Sequence, residues 1–332
     1  MSQALKTIRN DRFHVRVGAA SDPGLKRAQN EDSFGCWLPE DPEDGRRRGL
    51  LLAVADGMGG ARGGQVASRL AIETIGSAWR QSDGANLAGE LRAALAAANL
   101  RIHGESESRP ELAGMGTTCT AAVLRDGELA VAHVGDSRAY LVRGGRIRQL
   151  THDHSLVGQL VQERQITAAQ ARTDPRRNVV TRSVGVGPQV EIDVEGAGEK
   201  LAPGDTLILC TDGLHGLVSD EELRVGASEP DPDSGCRTLI SLARERGGPD
   251  NITVVLARVE SADGAVRARP APATARPRRS RSSKATMLLI VGASIVLLLA
   301  LTAIGLLASR LLHPKRMLGA APDVHHTGGT LT

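Results

Sequence analysis

Residues 116–149 read GTTCTAAVLRDGELAVAHVGDSRAYLVRGGRIRQ and consist of short apolar segments separated by two turns. The turns are RDGE (125–128) and RGGR (143–146), and Asp-Gly and Gly-Gly pairs are typical of tight turns between neighbouring strands. The region therefore predicts strands that follow one another directly, without a helix between them. This favours an α+β fold, in which helices pack outside sheets, over a doubly wound parallel sheet.

The rest of residues 12–260 alternates two kinds of segment. Short runs rich in Val, Ile and Leu predict buried strands, and Ala-rich segments with helical spacing predict helices. The strand candidates are LLLAVAD (50–56), ELAVAHVGD (128–136), DTLILCTD (205–212) and NITVVLARV (251–259). The helix candidates are QVASRLAIETIGSAW (65–79) and LAGELRAALAAANLRI (87–102).

The composition indicates a globular, enzyme-sized body and argues against a nucleic-acid partner. Of the 332 residues, 41% are hydrophobic and 24% are charged, which excludes disorder throughout the chain. Two Trp, one Tyr and two Phe are too few for a surface that stacks successive bases. The formal net charge of +3 is too small to indicate nucleic-acid binding by itself.

The C-terminal part of the chain contains a long apolar segment, residues 286–309. Its 23 residues from Met287 to Ser309 carry no charge. As a helix rising 1.5 Å per residue they would extend about 34 Å, enough to cross a hydrocarbon core of about 30 Å. A buried core helix would normally show a polar face, and this segment has none. The sequence therefore predicts one transmembrane helix.

The residues on either side of this span predict its orientation. Residues 261–285 contain seven Lys or Arg, one acid and three Pro, a composition typical of a solvated linker that attracts anionic lipid. Three basic residues follow the span, within the tail 310–332. By the positive-inside rule, the 12–260 domain is expected in the cytoplasm, anchored to the inner (cytoplasmic) membrane, with the tail outside.

Four aspartates stand at the ends of the predicted strands: Asp56, Asp136 and Asp212 close a strand, and Asp250 precedes one. Carboxylates at strand ends point into loops at the rim of a sheet. Several of them together repel one another, and a divalent cation is the usual remedy. Ligation by oxygen alone selects Mg²⁺ or Mn²⁺ over zinc. A single Asp-Gly pair is also an ordinary turn, but the whole set predicts a metal site.

A charged loop precedes these aspartates in SDPGLKRAQNEDSF (21–34). The planar guanidinium of Arg27 suits phosphate oxygens, and Glu31 and Asp32 are candidates for binding water at a metal. A solvated charged loop is the alternative interpretation of the same residues.

Eight motifs occur in the order found in one known family. They resemble those of the metal-dependent protein phosphatases of type 2C, and most closely the bacterial Ser/Thr branch. The motifs are RAQNED (27–32), VADGMGG (54–60), GMGTT (114–118), HVGDSRAYL (133–141), THDHS (151–155), TRSVG (181–185), LCTDGL (209–214) and GGPDNITVV (247–255). The resemblance spans about residues 15–258 and implies a four-layer α/β/β/α sandwich of two antiparallel sheets flanked by helices.

The resemblance also implies roles for individual residues. Two ions, Mn²⁺ or Mg²⁺, with a possible weaker third, would be held by Asp56, the Gly57 carbonyl, Asp136, Asp212 and Asp250. Among these, Asp56 would bridge two ions, and Asp136 would complete the third site with Asp212. The catalytic residues would be Arg27 on the phosphate and Glu31 and Asp32 near the ions. Residues 152–185 match the position of the family's mobile flap.

The implied activity is hydrolysis of phosphoserine and phosphothreonine on proteins, by direct attack of a water that bridges two ions. The partners would be phosphorylated proteins, a Ser/Thr protein kinase acting in opposition, and membrane lipid. Met58 stands where some relatives carry a His that protonates the leaving oxygen, which leaves the general acid unassigned. The alternative is a pseudophosphatase that binds phosphoproteins at the membrane, although such proteins usually lose metal ligands and none is lost here. Hydrolysis of small phosphate esters would use the same ligands.

Overall fold

The computed structural model describes residues 3–9, 13–39, 41–59 and 63–261, which belong to one compact unit containing two six-stranded sheets. The strands are β1 (Gln3–Arg9), β2 (Phe13–Asp22), β3 (Asp32–Trp37), β4 (Leu50–Met58), β5 (Gly116–Thr117), β6 (Cys119–Arg125), β7 (Glu128–Val134), β8 (Arg138–Arg143), β9 (Arg146–Gln149), β10 (Asp193–Lys200), β11 (Thr206–Cys210) and β12 (Ile252–Ser261).

The paired strands are antiparallel in both sheets. The first sheet has the order β1-β2-β12-β11-β8-β9, and the second has the order β10-β7-β6-β4-β3, with β5 paired to β4. The turns at 125–128 and 143–146 join β6 to β7 and β8 to β9, as the sequence predicts. The first sheet also includes β1, which lies before the predicted start of the domain at residue 12.

Helices cover the outer face of each sheet. The helices are α1 (Pro42–Arg48), α2 (Gly63–Gln81), α3 (Leu87–Ser108), α4 (Leu156–Gln162), α5 (Ala168–Thr173), α6 (Asp212–His215), α7 (Asp220–Ala227) and α8 (Pro232–Glu245), with a 3₁₀ turn at Pro110–Leu112. Side chains of α2 and α3 pack on the second sheet, and side chains of α6, α7 and α8 pack on the first. The predicted α+β sandwich of two antiparallel sheets flanked by helices is confirmed.

The central strands are apolar throughout because both of their faces are buried. In β4, Leu50, Leu52 and Val54 pack between the two sheets, whereas Leu51 and Ala53 pack against the helices. The same alternation in β11 sends Leu207 and Leu209 inward and Ile208 and Cys210 towards the helices. Charged residues therefore appear only towards or after the ends of these two strands, at the rim of the sheet, where Asp56 and Asp212 lie.

The predicted linker (261–285), transmembrane segment (286–309) and tail (310–332) lie almost wholly outside the described residues. Among the helices that the structure describes, none combines the length and the hydropathy needed to cross a bilayer.

Candidate metal centre

The Asp-Gly pair near the end of β4 and the Asp-Gly pair after β11 lie where backbones approach closely. A Cβ atom added to Gly57 would lie 2.1 Å from the Gly64 carbonyl oxygen, and one added to Gly213 would lie 1.9 Å from the Asn251 carbonyl oxygen. No side chain fits at such distances, so glycine is required at both positions. The glycines allow the loops that carry the acids to converge, which goes beyond the requirements of an ordinary turn.

Asp32 begins β3 and is paired in register with Asp56 on β4. One Asp32 carboxylate oxygen, Oδ2, accepts hydrogen bonds from the Thr253 hydroxyl at 2.7 Å and the Thr211 hydroxyl at 2.9 Å. The other, Oδ1, is buried and has no hydrogen-bond partner among the described residues. Burial raises the pKa of Asp32 to about 7, although the two threonines act in the opposite direction.

The aspartates at the strand ends perturb one another. Burial, followed by the charges of Asp32 and Asp212, raises the pKa of Asp56 well above its ordinary value. Burial and the charge of Asp250 raise the pKa of Asp212, while a hydrogen bond with Asp56 partly offsets this. The pKa of Asp136 is also raised well above its ordinary value, by burial and then by Asp212. The structure therefore brings together the four aspartates that the sequence places at separate strand ends.

Arg27 lies at the exposed edge of this cluster. Its guanidinium donates a hydrogen bond to Asp250 Oδ2 at 2.9 Å, and half of its side chain is exposed (50%). This contact and the charge of Asp250 raise the pKa of Arg27. Burial raises the pKa of Glu31, although Arg27 opposes the shift. All three predicted catalytic residues, Arg27, Glu31 and Asp32, thus lie within electrostatic reach of the aspartates.

Asn251 holds the loop that carries Arg27 and Glu31. Its Oδ1 accepts a hydrogen bond from the Glu31 backbone N–H at 2.8 Å. Its side-chain NH₂ donates to the carbonyls of Pro23 at 3.0 Å and Gln29 at 2.9 Å. Asn251 is not among the predicted site residues, although it follows Asp250 directly in the GGPDNITVV motif. Its three backbone contacts fix the N-terminal loop against the start of β12.

The Asp136 loop is held from two sides. Gly135 has a φ of +110° and donates its N–H to His154 Nδ1 at 3.1 Å. The Asp136 carbonyl lies 2.9 Å from His215 Nε2, so the imidazole donates to it. Burial lowers the pKa of His215 to about 3. The ring is therefore neutral near pH 7, and its role is to hold the Asp136 backbone.

A partly buried ion pair supports the loop that follows Asp136. Arg138 donates to Asp153 through Nε at 2.8 Å and through a terminal nitrogen at 2.6 Å, and also to the Tyr140 hydroxyl at 2.9 Å. The two side chains are 20% and 11% exposed. Burial alone would raise the pKa of Asp153, but Arg138 lowers it overall. The pair joins the second residue after Asp136 to the start of the 152–185 segment.

A cavity of about 440 Å³ adjoins the cluster. Asp136, Asp212 and Asp250 line one side of it, and residues of α4 and α5 line the other. The volume lies within the range of ligand-binding sites. The opening beside the aspartates is therefore large enough for more than a phosphate group.

The chemistry and packing of the cluster fit divalent cations. Every donor is an oxygen, the carboxylates repel one another, and the buried Oδ1 atoms of Asp32 and Asp212 have no hydrogen-bond partner among the described residues. As the side chains stand, no three His, Cys, Asp or Glu residues in the described ranges form a ready site for one ion. Asp250 is paired with Arg27 at 2.9 Å, so this contact has to be exchanged for a bond to an ion.

The family model described as Protein phosphatase 2C matches residues 28–229, which is more than half of the chain. The chain belongs to the protein phosphatase 2C family. The resemblance inferred from the eight motifs is confirmed. The matched range includes six of the eight predicted site residues of this family member; Arg27 and Asp250 lie outside it.

Relatives and a solved structure of the family are similar to this member over its sandwich. It is 40% identical over 249 residues to the serine/threonine protein phosphatase PstP of Mycobacterium tuberculosis, covering 75% of this chain but only 46% of that protein, about half its length. It is 37% identical over 241 residues to the serine/threonine phosphatase Stp of Listeria welshimeri, covering 71% and 92%. The PstP catalytic domain, solved in complex with two manganese ions, has a TM-score of 0.64 at 37% identity, covering 75% of this chain and 100% of that one.

Proposed function

We propose that the chain is a membrane-anchored phosphatase that depends on Mn²⁺ or Mg²⁺ and hydrolyses phosphoserine and phosphothreonine on proteins. The observation that carries the proposal is the convergence of Asp56, Asp136, Asp212 and Asp250 beside Arg27, in a member of the protein phosphatase 2C family. The manganese ions in the PstP structure and the names of the relatives support the choice of metal and substrate. Because protein kinases produce phosphoserine and phosphothreonine, a Ser/Thr kinase is its counterpart.

The residues of the chain divide the chemistry between them. Asp56, Asp212, Asp250, Asp136 and the Gly57 carbonyl would hold the ions. When bound, the ions lower the pKa of water and neutralise charge on the phosphate. Arg27 is exposed enough to exchange Asp250 for phosphate oxygens, which its planar fork of donors suits. Asp32, fixed through Oδ2 by two threonines, has Oδ1 available to accept a proton from water.

Removing the metal is the direct test of this activity. The full-length chain in detergent, with Mn²⁺, should release phosphate from a phosphothreonine peptide, and excess EDTA should reduce the rate at least about a hundredfold. Adding Mn²⁺ back should restore it. Hydrolysis that persists in EDTA would contradict the metal mechanism. Tight phosphopeptide binding without turnover at any Mn²⁺ or Mg²⁺ concentration would favour a pseudophosphatase scaffold.

The membrane anchor is proposed from the sequence alone. Residues 1–260 carry 31 basic and 36 acidic side chains, whereas the 25-residue linker carries seven basic and one acidic. Such a basic linker is attracted to anionic lipid headgroups by about 1 kcal/mol for each Lys or Arg near the surface. The uncharged segment after it is long enough to span the bilayer. The active site is proposed to face the cytoplasm at the inner membrane.

Three chain lengths separate insertion from electrostatic attraction. The full-length protein should stay in the membrane fraction after a wash in about 1 M salt. At that concentration the Debye screening length is only about 3 Å, so electrostatic attraction to lipid is largely removed. A form that ends at residue 285 keeps the linker and should be released by the wash. A form that ends at residue 261 lacks the linker and should be in the supernatant even without the salt wash. Release of the full-length protein by salt would mean that 286–309 does not span.

A further inference from the structure

The cavity beside the aspartates has a second wall made by the flap segment, defined as residues 152–185. Val157 and Val161 of α4 and Ala171 of α5 give this wall an apolar surface, and Arg172 and Arg177 add positive charge. The cavity is continuous with the proposed active site, because Asp212 and Asp250 also line it. A group bound there would lie next to the phosphate that is removed.

The arginines that line this cavity differ in how their charges are compensated. Arg138 is paired with Asp153 at 2.6 Å, and Arg172 lies 3.6 Å from Asp220. The guanidinium of Arg177 makes no hydrogen bond or ion pair with any residue that the structure describes. Arg177 is therefore the one cavity arginine, within those residues, whose charge is available to a ligand.

The backbone around Arg177 is held by a turn. The Arg177 N–H donates to the Asp174 carbonyl at 3.1 Å, and the Val179 N–H donates to the Arg176 carbonyl at 3.0 Å. The neighbouring Arg176 is paired with Asp174 at 2.9 Å and does not line the cavity. The same turn thus carries one arginine that is neutralised by Asp174 and does not line the cavity, and one uncompensated arginine that does.

We propose that Arg177 is a specificity-determining residue, which binds an anionic group on the substrate segment next to the phosphorylated residue. This inference rests on the proposed function. A sphere of the cavity's volume is about 9 Å across, and an extended chain rises about 3.3 Å per residue. The anionic group therefore lies within about three residues of the phosphoresidue. A carboxylate and a second phosphate share the required chemistry, since a guanidinium binds both.

The test compares phosphothreonine peptides that carry Ala, Glu, phosphoserine or Lys at each of the three positions on either side of the phosphothreonine. For the wild-type chain, kcat/KM should be about tenfold higher with an anionic residue at one of these positions than with Ala, the effect of one charge-assisted hydrogen bond. Arg177→Ala should reduce this ratio to near one. Arg177→Glu should make the chain prefer Lys at the same position. The Glu and phosphoserine peptides distinguish a carboxylate from a second phosphate.

Arg176→Ala is the matched control. It should keep the tenfold ratio, because Arg176 is next to Arg177 in the sequence but is paired with Asp174. Fluorescence anisotropy of the same peptides bound to the chain in EDTA gives a readout that does not depend on turnover. A wild-type ratio near one in both assays, or an equal loss in Arg176→Ala and Arg177→Ala, would overturn the proposal. Mn²⁺-dependent hydrolysis of the Ala-flanked phosphothreonine peptide by the wild-type chain shows separately whether the proposed function holds.

Discussion

Asp56→Asn should reduce the Mn²⁺-dependent hydrolysis of a phosphothreonine peptide on the order of 10³-fold, the effect typical of losing one main electrostatic group in an active site. Asp56 lies near the end of β4 and is paired in register with Asp32, and burial and the charges of Asp32 and Asp212 raise its pKa. Asparagine keeps the size of the side chain but removes the negative charge that an ion would need. Asp233→Asn on α8 is the control, because Asp233 is also buried (6% exposed) but belongs to another part of the fold.

The same variant should be more stable than the wild type in EDTA. The pKa of Asp56 is raised in the folded state by burial and by neighbouring acids. The contribution of protonated Asp56 to the free energy of unfolding is therefore fully present below the unfolded-state pKa of about 3.9. This contribution is lost as the pH rises through the folded-state pKa. Asparagine does not titrate, so the advantage of the variant in urea unfolding should be larger at pH 8 than at pH 5. An advantage that is larger at pH 5 would contradict the electrostatic account of the cluster.

The strand-end aspartates could be predicted because a strand with two buried faces is apolar until it reaches the rim of the sheet. Asp56, Asp136 and Asp212 each follow such a run, so their positions are encoded locally. The hydrogen bonds of Asp32 to Thr211 and Thr253 could not be predicted in this way, since they join three strands from different parts of the chain. Their geometry depends on the register of both sheets.

The ion pair of Arg138 could be predicted from the sequence, although it is not among the sequence-based predictions. The turn at 143–146 sets the register of β8 against β9, which pairs Tyr140 with Gln149. Continuing this register brings Arg138 near the residues that follow Thr151. The cavity, by contrast, depends on how α4 and α5 fold back beside the aspartates. No local pattern in those helices indicates that placement, because it is decided by tertiary contacts.

Asp153→Ala should destabilise the described domain by about 3 kcal/mol, because it leaves the largely buried Arg138 guanidinium without its counter-ion. Arg138 makes two hydrogen bonds to Asp153, at 2.8 and 2.6 Å, and its remaining contact to the Tyr140 hydroxyl does not supply a negative charge. Urea unfolding of the full-length chain in detergent, followed by the near-ultraviolet signal, measures the change. Glu111→Ala is the control, since it breaks a pair with Arg109 in which both side chains are more than half exposed (64% and 53%), and it should leave the unfolding midpoint nearly unchanged.

The pH dependence of stability shows whether Asp153→Ala destabilises the domain by removing the ion pair or by removing packing contacts. Because Arg138 holds the pKa of Asp153 below its ordinary value, the stability due to the pair is present above the unfolded-state pKa and is lost as the pH falls through the folded-state pKa. The difference between the wild type and Asp153→Ala should therefore shrink on acidification below about pH 4. If the stability difference stays constant in that pH range, lost packing contacts and not the lost charge account for the destabilisation in Asp153→Ala. Asp153→Asn, which keeps the volume, should then be as stable as the wild type.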